Sequence, residues 1–260
     1  HQLKLIHSLQ ETGQRANTII FMISDHGEML GQQGARGKIV SWEESIRVPT
    51  LVYHPDLKDK KLCNSVISNI DIVPTLLEFT GLSKSELRDK HPELKGNSYA
   101  ELVENVNYDN VRDKEGHLIH GVQIIPTVFE VAEKFRHTAL ADGFLAKTKA
   151  FMSEGKFLPD FTPPLNYKGV VDKKHKFLRF FSPRQNNIPT NYDELTKYNA
   201  EYQLYDLEND PFEMNDLAKD ENNRDLLMSM NDKCNTLADK EIGLENHVIH
   251  LPGPDWFWTA

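Results

Sequence analysis

The run Asn17-Thr18-Ile19-Ile20-Phe21-Met22-Ile23 constrains the fold more than any other segment. It is apolar, rich in β-branched residues, and bounded by Gly13 before it and Asp25-His26-Gly27 after it. It lacks the polar alternation of a strand with one wet face, so it reads as a strand buried on both faces, as in a parallel sheet. Leu3, Ile6, His7 and Leu9 precede it at helical spacing, and Gly13 stands where a C′ residue closes a helix. Helix, short turn and buried strand make one αβ unit. Asp25 and His26 then fall just past the strand's C-terminal end, the edge at which open α/β sheets bind ligands.

The rest of the chain divides into zones. Residues 27–47 carry Gly27, Gly31, Gly34 and Gly37 and then Glu43-Glu44-Ser45-Ile46-Arg47, which predicts a loop with a short helix near Ser41 to Ser45. Val48 to Tyr53 reads as a second buried strand. Ser68 to Gly81 reads as a helix that Ser68 or Asp71 caps, with Pro74 in its first turn. Ser83 to Asn107 is polar and irregular. His117 to Val131 has a strand-like core, Lys134 to Ser153 a helical pattern, and Leu158 to Asn166 three prolines of a connecting loop. Gly169 to Phe181 reads as one strand, Tyr202 to Asp206 as its partner, and Asp220 to Lys240 as an amphipathic helix. The first zone holds too few strands to close a sheet, so bare edges are expected there.

Composition removes several classes of function. The 260 residues carry 30 basic and 39 acidic side chains, a net charge of −9 that argues against a nucleic-acid partner. The longest apolar run, Thr18 to Ile23, is far too short to span a bilayer. Cys63 and Cys234 are far apart and lack zinc-ligand spacing, so both read as buried thiols. The N-terminal His1-Gln2-Leu3-Lys4 opens in mid-helix with no initiator Met, which leads us to expect a preceding region missing from this chain. Compartment is not legible.

Ser24-Asp25-His26-Gly27-Glu28 is the sharpest chemical feature. A carboxylate and an imidazole side by side can face one divalent cation, because Gly27 lets the chain turn away. On spacing alone the same residues make an ordinary strand–turn with a capping Asp and a surface His. Lys38, beyond the glycine-rich loop, could stabilise charge on a sulfuryl or phosphoryl oxygen, with Arg36 as competitor. It could equally be a solvated loop lysine. Arg47 reads as an ion-pair partner of Glu43 or Glu44. His54, His120, His137, His175, His247 and His250 have no ligand spacing. The Trp256-Phe257-Trp258 tail reads as packed against the body, with a pocket wall as the alternative.

The segment Asn17 to Gly31 resembles the second signature region of the sulfatase family, within the alkaline-phosphatase superfamily. Lys38, Glu43-Glu44-Ser45-Ile46-Arg47-Val48-Pro49, Asp71-Ile72-Val73-Pro74-Thr75-Leu76-Leu77 and Leu204 to Glu213 continue the likeness in the family's order. It covers roughly residues 1–82 and 168–240. The resemblance implies that Asp25 and His26 are metal ligands and that Lys38 contacts the sulfate. His26 stands where many arylsulfatases have Asn, and the Asp-His pair is similar to choline-sulfatase and phosphonate monoester hydrolase members. The implied metal is calcium first, with manganese second. The family's nucleophile is a formylglycine made from Cys or Ser in a C/S-x-P-S-R motif. Neither Cys63 (before Asn64-Ser65) nor Cys234 (before Asn235-Thr236) fits, and Ser182-Pro183-Arg184 is a near miss in the wrong zone.

The resulting expectation is a mixed α/β chain. Residues 1–98 form the C-terminal part of a main sulfatase domain with a partial parallel sheet, 99–167 a variable insertion, and 168–260 a C-terminal subdomain with a small antiparallel sheet and a long helix. The expected function is the C-terminal portion of a sulfuric ester hydrolase, inactive alone, acting on a small sulfate ester together with the missing N-terminal part. The alternatives are a phosphonate or phosphodiester hydrolase with the same site, and a non-catalytic truncated relative acting in binding.

Overall fold

The computed structural model describes residues 2–38, 40–57, 60–122, 166–181, 188–198 and 201–243. The helix expected at 134–153, nearly all of the proline-rich loop, the Ser182-Pro183-Arg184 near miss and the aromatic tail lie outside them.

The N-terminal zone opens with α1 (Gln2–Glu11), which Gly13 closes with φ +72°. The stripe of α1 is only partly used: Ile6 and Leu9 are half-buried, whereas Leu3 is exposed. Strand β1 (Ile20–Met22) follows. It pairs with β4 (Leu51–Tyr53), with Phe21 opposite Val52. This pair is antiparallel, not parallel, because the chain between them folds back on itself rather than crossing over. Nor is β1 buried on both faces; its residues are half-buried and Ile23 is exposed. A two-stranded ribbon covers neither its outer edges nor a second face, as expected for a zone with so few strands. Between the two strands lie β2 (Met29–Leu30) and β3 (Arg36–Gly37), a small hairpin inside the glycine-rich loop, and α2 (Glu43–Ile46).

A 3₁₀ turn at Asn69–Asp71 leads into α3 (Ile72–Phe79). Pro74 sits in the first turn of α3, where its missing N–H costs nothing. Residues 83–107, expected to be irregular, contain α4 (Lys84–Lys90) and α5 (Ala100–Glu104). The signal for α4 was present: Ser83 and Glu86 form a capping box. Helix α6 (Val111–Glu115) is capped by Asn110.

The C-terminal zone is an antiparallel sheet of four strands in sequential order: β5 (His117–Val122), β6 (Asn166–Val171), β7 (His175–Phe181) and β8 (Glu201–Asp206). The single strand expected over 169–181 is two strands. Asp172 accepts N–H bonds from Lys174 (3.0 Å) and His175 (2.8 Å), and this Asx turn folds β6 onto β7. One face of the sheet, with Val170, Phe177 and Leu204, packs on α7 (Tyr192–Tyr198) and the long α8 (Arg224–Ile242) through Leu195, Leu227, Met230, Cys234 and Leu237. Each such aliphatic side chain contributes about 1.5–3 kcal/mol on burial. The other face carries Ile119, Val171, Leu178 and Phe180, and Ile46 of α2 packs against it. Cys234 is fully buried, and burial pushes its thiol up. Cys63, expected to be buried, is exposed, because residues 61–68 form no regular element that could cover it. Among the described residues, no helix is long and apolar enough to cross a membrane.

Two buried ionic groups tie the zones together. Arg112 forms a fork on Asp71, with Nε to Oδ2 at 3.0 Å and Nη2 to Oδ1 at 2.7 Å, and its Nη1 reaches Glu241 Oε1 of α8 at 2.6 Å. Lys176 of β7 stands 2.6 Å from Glu213 Oε1 and 3.3 Å from Glu43 Oε1 of α2.

Arg112→Met leaves two buried carboxylates without their cation, so it should lower unfolding free energy in urea by about 3–5 kcal/mol. The triple variant with Asp71→Asn and Glu241→Gln should recover part of the loss, since no unpaired charge remains. Asp172 gives a pH prediction. Burial raises its pKa, but Lys233 at 2.5 Å and the two turn N–H groups overcome this and hold the carboxyl below the ordinary range. Its stabilisation is therefore complete above the ordinary aspartate value of about 3.9 and disappears as pH falls through the lower folded value. Asp172→Asn should flatten that acid limb in denaturation curves taken across pH, and cost about 1–3 kcal/mol at neutral pH.

Candidate functional site

The loop that follows β1 holds the site. Asp25 and His26 leave the strand end together, and Gly27 then passes so close to α2 that no side chain fits: a Cβ there would lie 2.0 Å from the Glu44 carbonyl oxygen. The Gly27 N–H donates to the Ser45 carbonyl at 2.7 Å. Ser24 Oγ donates to the His26 carbonyl at 2.8 Å. The loop is thus held through its backbone, which leaves the side chains of residues 25 and 26 free to point outward.

Three sequence-predicted residues come together. His26 Nε2 lies 3.2 Å from Asp25 Oδ2 and 2.6 Å from Lys38 Nζ. His26 Nδ1 lies 2.7 Å from the Gly27 carbonyl oxygen, which can only accept, so Nδ1 carries the proton. Nε2 faces Asp25 and the Lys38 ammonium, and in the neutral ring it carries the lone pair. This is the tautomer a metal-binding imidazole needs, oriented by a carbonyl on its other nitrogen. The backbone N–H of His26, at 3.0 Å from Oδ1, is the main reason the Asp25 carboxyl lies below its ordinary range, and the His26 and Lys38 charges add to it. The Asp25 side chain is 84% exposed, so the described residues build one wall of a site and leave the other side open.

One carboxylate and one imidazole lone pair suit calcium or a borderline divalent ion. They are too few for a full coordination shell. Among the described residues, no group of three or more His, Cys, Asp or Glu side chains could hold a metal ion. The donors present fit a metal as part of a larger ligand set.

The other candidates separate cleanly. Arg36 is exposed on β3 opposite Leu30, and it is Lys38 whose ammonium meets His26. Arg47 stands 3.9 Å from Glu43 with its side chain 79% exposed, a weak surface ion pair. His54 lies beside the Phe79 ring. His137, His247 and His250 lie outside the described residues. A groove of about 650 Å³ between α6 and α8, with Lys114, Met228 and Asp232 on its walls, does not include the three residues. The ligand-type atoms converge at the loop and not at this groove.

Two contributors were not read from the sequence. Asn69 reaches back across 45 residues to donate from Nδ2 to the Ser24 carbonyl at 3.1 Å, and also lies 3.4 Å from that of Asp25. Glu43 matters through its buried partners rather than through Arg47. The capping sequence Ser68-Asn69-Ile70-Asp71 marks a turn, but nothing local indicates what the turn faces.

Residues 3–82 match the sulfatase family model. The chain is 38% identical over 105 residues to an ulvan-active sulfatase of Formosa agariphila, covering 39% of this chain and 19% of that protein. It is 38% identical over 85 residues to a choline-sulfatase of Rhizobium meliloti, covering 33% of this chain and 16% of that protein. A phosphonate monoester hydrolase from Silicibacter pomeroyi shares the fold, with a TM-score of 0.61, 17% identity, and coverage of 92% of this chain and 38% of that one. The chain thus spans under a fifth of these two curated relatives' length and about two-fifths of the solved structure's. The matched segment, residues 3–82, carries Asp25, His26 and Lys38 and is thus similar in sequence to sulfatases, while the chain as a whole shares the fold of the solved relative.

Proposed function

We propose that these residues are part of a sulfuric ester hydrolase and supply one side of its metal and sulfate site. The observation that carries the reading is the convergence of the His26 Nε2 lone pair, Asp25 Oδ2 and Lys38 Nζ at one loop. In this reading Asp25 and His26 hold a divalent cation, calcium first and manganese second, the imidazole favouring tolerance of a transition metal. When bound, the cation supplies Lewis-acid polarisation of the sulfuryl oxygens. Lys38 binds a sulfate oxygen and stabilises the charge that grows on it during attack at sulfur. Gly27 lets the loop pass under α2, and Asn69 holds the Ser24 and Asp25 carbonyls so that the two ligand side chains project together. The remaining metal ligands and the formylglycine nucleophile come from chain outside these 260 residues. Two facts support this: Cys63 and Cys234 lie in no C-x-P-S-R motif, and the chain spans only a part of its relatives. The substrate is a small sulfate ester. The imidazole at position 26 keeps a second reading open, in which the same site hydrolyses phosphonate or phosphate esters.

The test uses the full-length protein with an aryl sulfate and the matching aryl phosphonate. Chelation should abolish turnover, and added calcium or manganese should restore it. Asp25→Asn and His26→Ala should each weaken metal affinity at least tenfold and lower kcat/KM. Lys38→Met should lower kcat about 10²–10³-fold while leaving metal affinity intact. Wild-type metal content in the Asp25→Asn and His26→Ala proteins would sink the ligand assignment. Faster turnover of the phosphonate would favour the second reading, and turnover of neither ester would leave a binding role.

A further inference from the structure

Helix α2 is a single turn of four residues, too short to persist by its own hydrogen bonds. Yet it fixes the ligand loop, because Ser45 O accepts the Gly27 N–H and Glu44 O leaves Gly27 no room to shift. What fixes α2 lies far along the chain. Glu213 Oε2 accepts the Glu43 backbone N–H at 2.8 Å, and its Oε1 pairs with Lys176, which also reaches Glu43 Oε1. Ile46 seats the other end of α2 on the β5–β8 sheet. The side chains of Lys176 and Glu213 are fully buried. Glu213 also holds a left-handed backbone, φ +55°, which costs a non-glycine residue about 1–2 kcal/mol. A buried ion pair on a strained backbone adds little net stability, since apolar replacements of such pairs are often neutral or better. Its geometry is what the fold retains: one Glu213 oxygen accepts from the first residue of α2, and the other holds the lysine that reaches the same residue's carboxylate.

We infer that Glu213 and Lys176 are positioning residues for the metal site, setting the orientation and tautomer of His26 through α2 and Gly27. The route is a series of direct contacts: Lys176 and Glu213 hold Glu43, Ser45 holds Gly27, and the Gly27 carbonyl accepts the hydrogen bond from His26 Nδ1. The inference deepens the proposed metal-site reading and rests on it for its consequence in metal binding.

The experiment uses the full-length protein in four forms: unsubstituted, Glu213→Gln, the paired Lys176→Met/Glu213→Leu, and Leu227→Ala. The paired variant removes both members of the buried Lys176–Glu213 pair, leaves the Glu43 carboxylate with Arg47, and loses the acceptor for the Glu43 N–H. Leu227→Ala truncates the α8 core and controls for general destabilisation. Manganese and calcium affinities are measured by titration calorimetry, and the His26 ring ¹⁵N shifts are recorded without added metal, at a pH where the imidazole is neutral. Both anchor variants should bind metal about tenfold more weakly and show His26 as a mixture of tautomers. Leu227→Ala should keep wild-type affinity and the single Nδ1–H form. Wild-type affinity and a single tautomer in the anchor variants would overturn the inference, as would an equal loss in Leu227→Ala. If the unsubstituted protein binds neither cation, the metal reading falls, and the tautomer comparison alone decides the coupling.

Discussion

The Asp71 carboxylate is the point on which the N-terminal zone hangs. Its two oxygens accept from the Ser68 and Asn97 backbone N–H groups and from both nitrogens of the Arg112 fork. All four bonds are made out of contact with water, where a charge-assisted hydrogen bond is strong and an unmade one is costly. Satisfying that carboxylate brings the 3₁₀ turn, the 97–99 segment and α6 to one place. Through Arg112 and Glu241 it also fastens the end of α8 there. The turn so fixed is the one that presents Asn69 to the Ser24 and Asp25 carbonyls. The ligand loop is therefore gripped from two sides, by Asn69 and by α2, and each grip is anchored in the C-terminal zone.

This arrangement explains why a β-sheet module with no ligand of its own belongs to the site. The β1–β4 ribbon is too small to hold a loop still; its strands are half-buried and one edge of each is open. The four-stranded sheet with α8 has a dry core of aliphatic side chains on one face and offers the other face to α2. Rigidity is borrowed from the larger core by way of Lys176, Glu213 and Ile46. Metal ligands need this, because small displacements of a donor atom weaken coordination sharply.

What the sequence shows and hides follows the range of the forces involved. The meeting of Asp25, His26 and Lys38 was legible because the first two are adjacent and Lys38 lies 12 residues on, within one recognisable segment. Helix α8 and strand β8 were legible because their apolar periodicity is local. The split of 169–181 into two strands was missed because Asp172 interrupts an otherwise continuous apolar pattern by one side-chain turn. Helix α4 was missed although Ser83 and Glu86 spelled its cap. The antiparallel β1–β4 pairing was illegible for a different reason: an apolar run states that a strand is buried, not which way its neighbour runs. Asn69, Glu213 and Lys176 were beyond sequence reading, since their partners lie 37 to 170 residues away.

Charge poses the last constraint. The chain is acidic overall, at −9, while the proposed substrate is an anion. Long-range attraction cannot draw a sulfate ester to such a surface. Recognition must come from the field within a few ångströms, and there Asp25 opposes it, its carboxyl held ionised by the His26 N–H. Lys38 offsets that one negative charge but leaves no excess for an anion. A further positive charge at the Asp25–His26 pair would give the site the excess it needs to attract sulfate, and the proposed metal reading supplies one. The charge balance thus favours the proposed reading, in which a cation sits between an oxygen and a nitrogen donor and the lysine turns to the substrate.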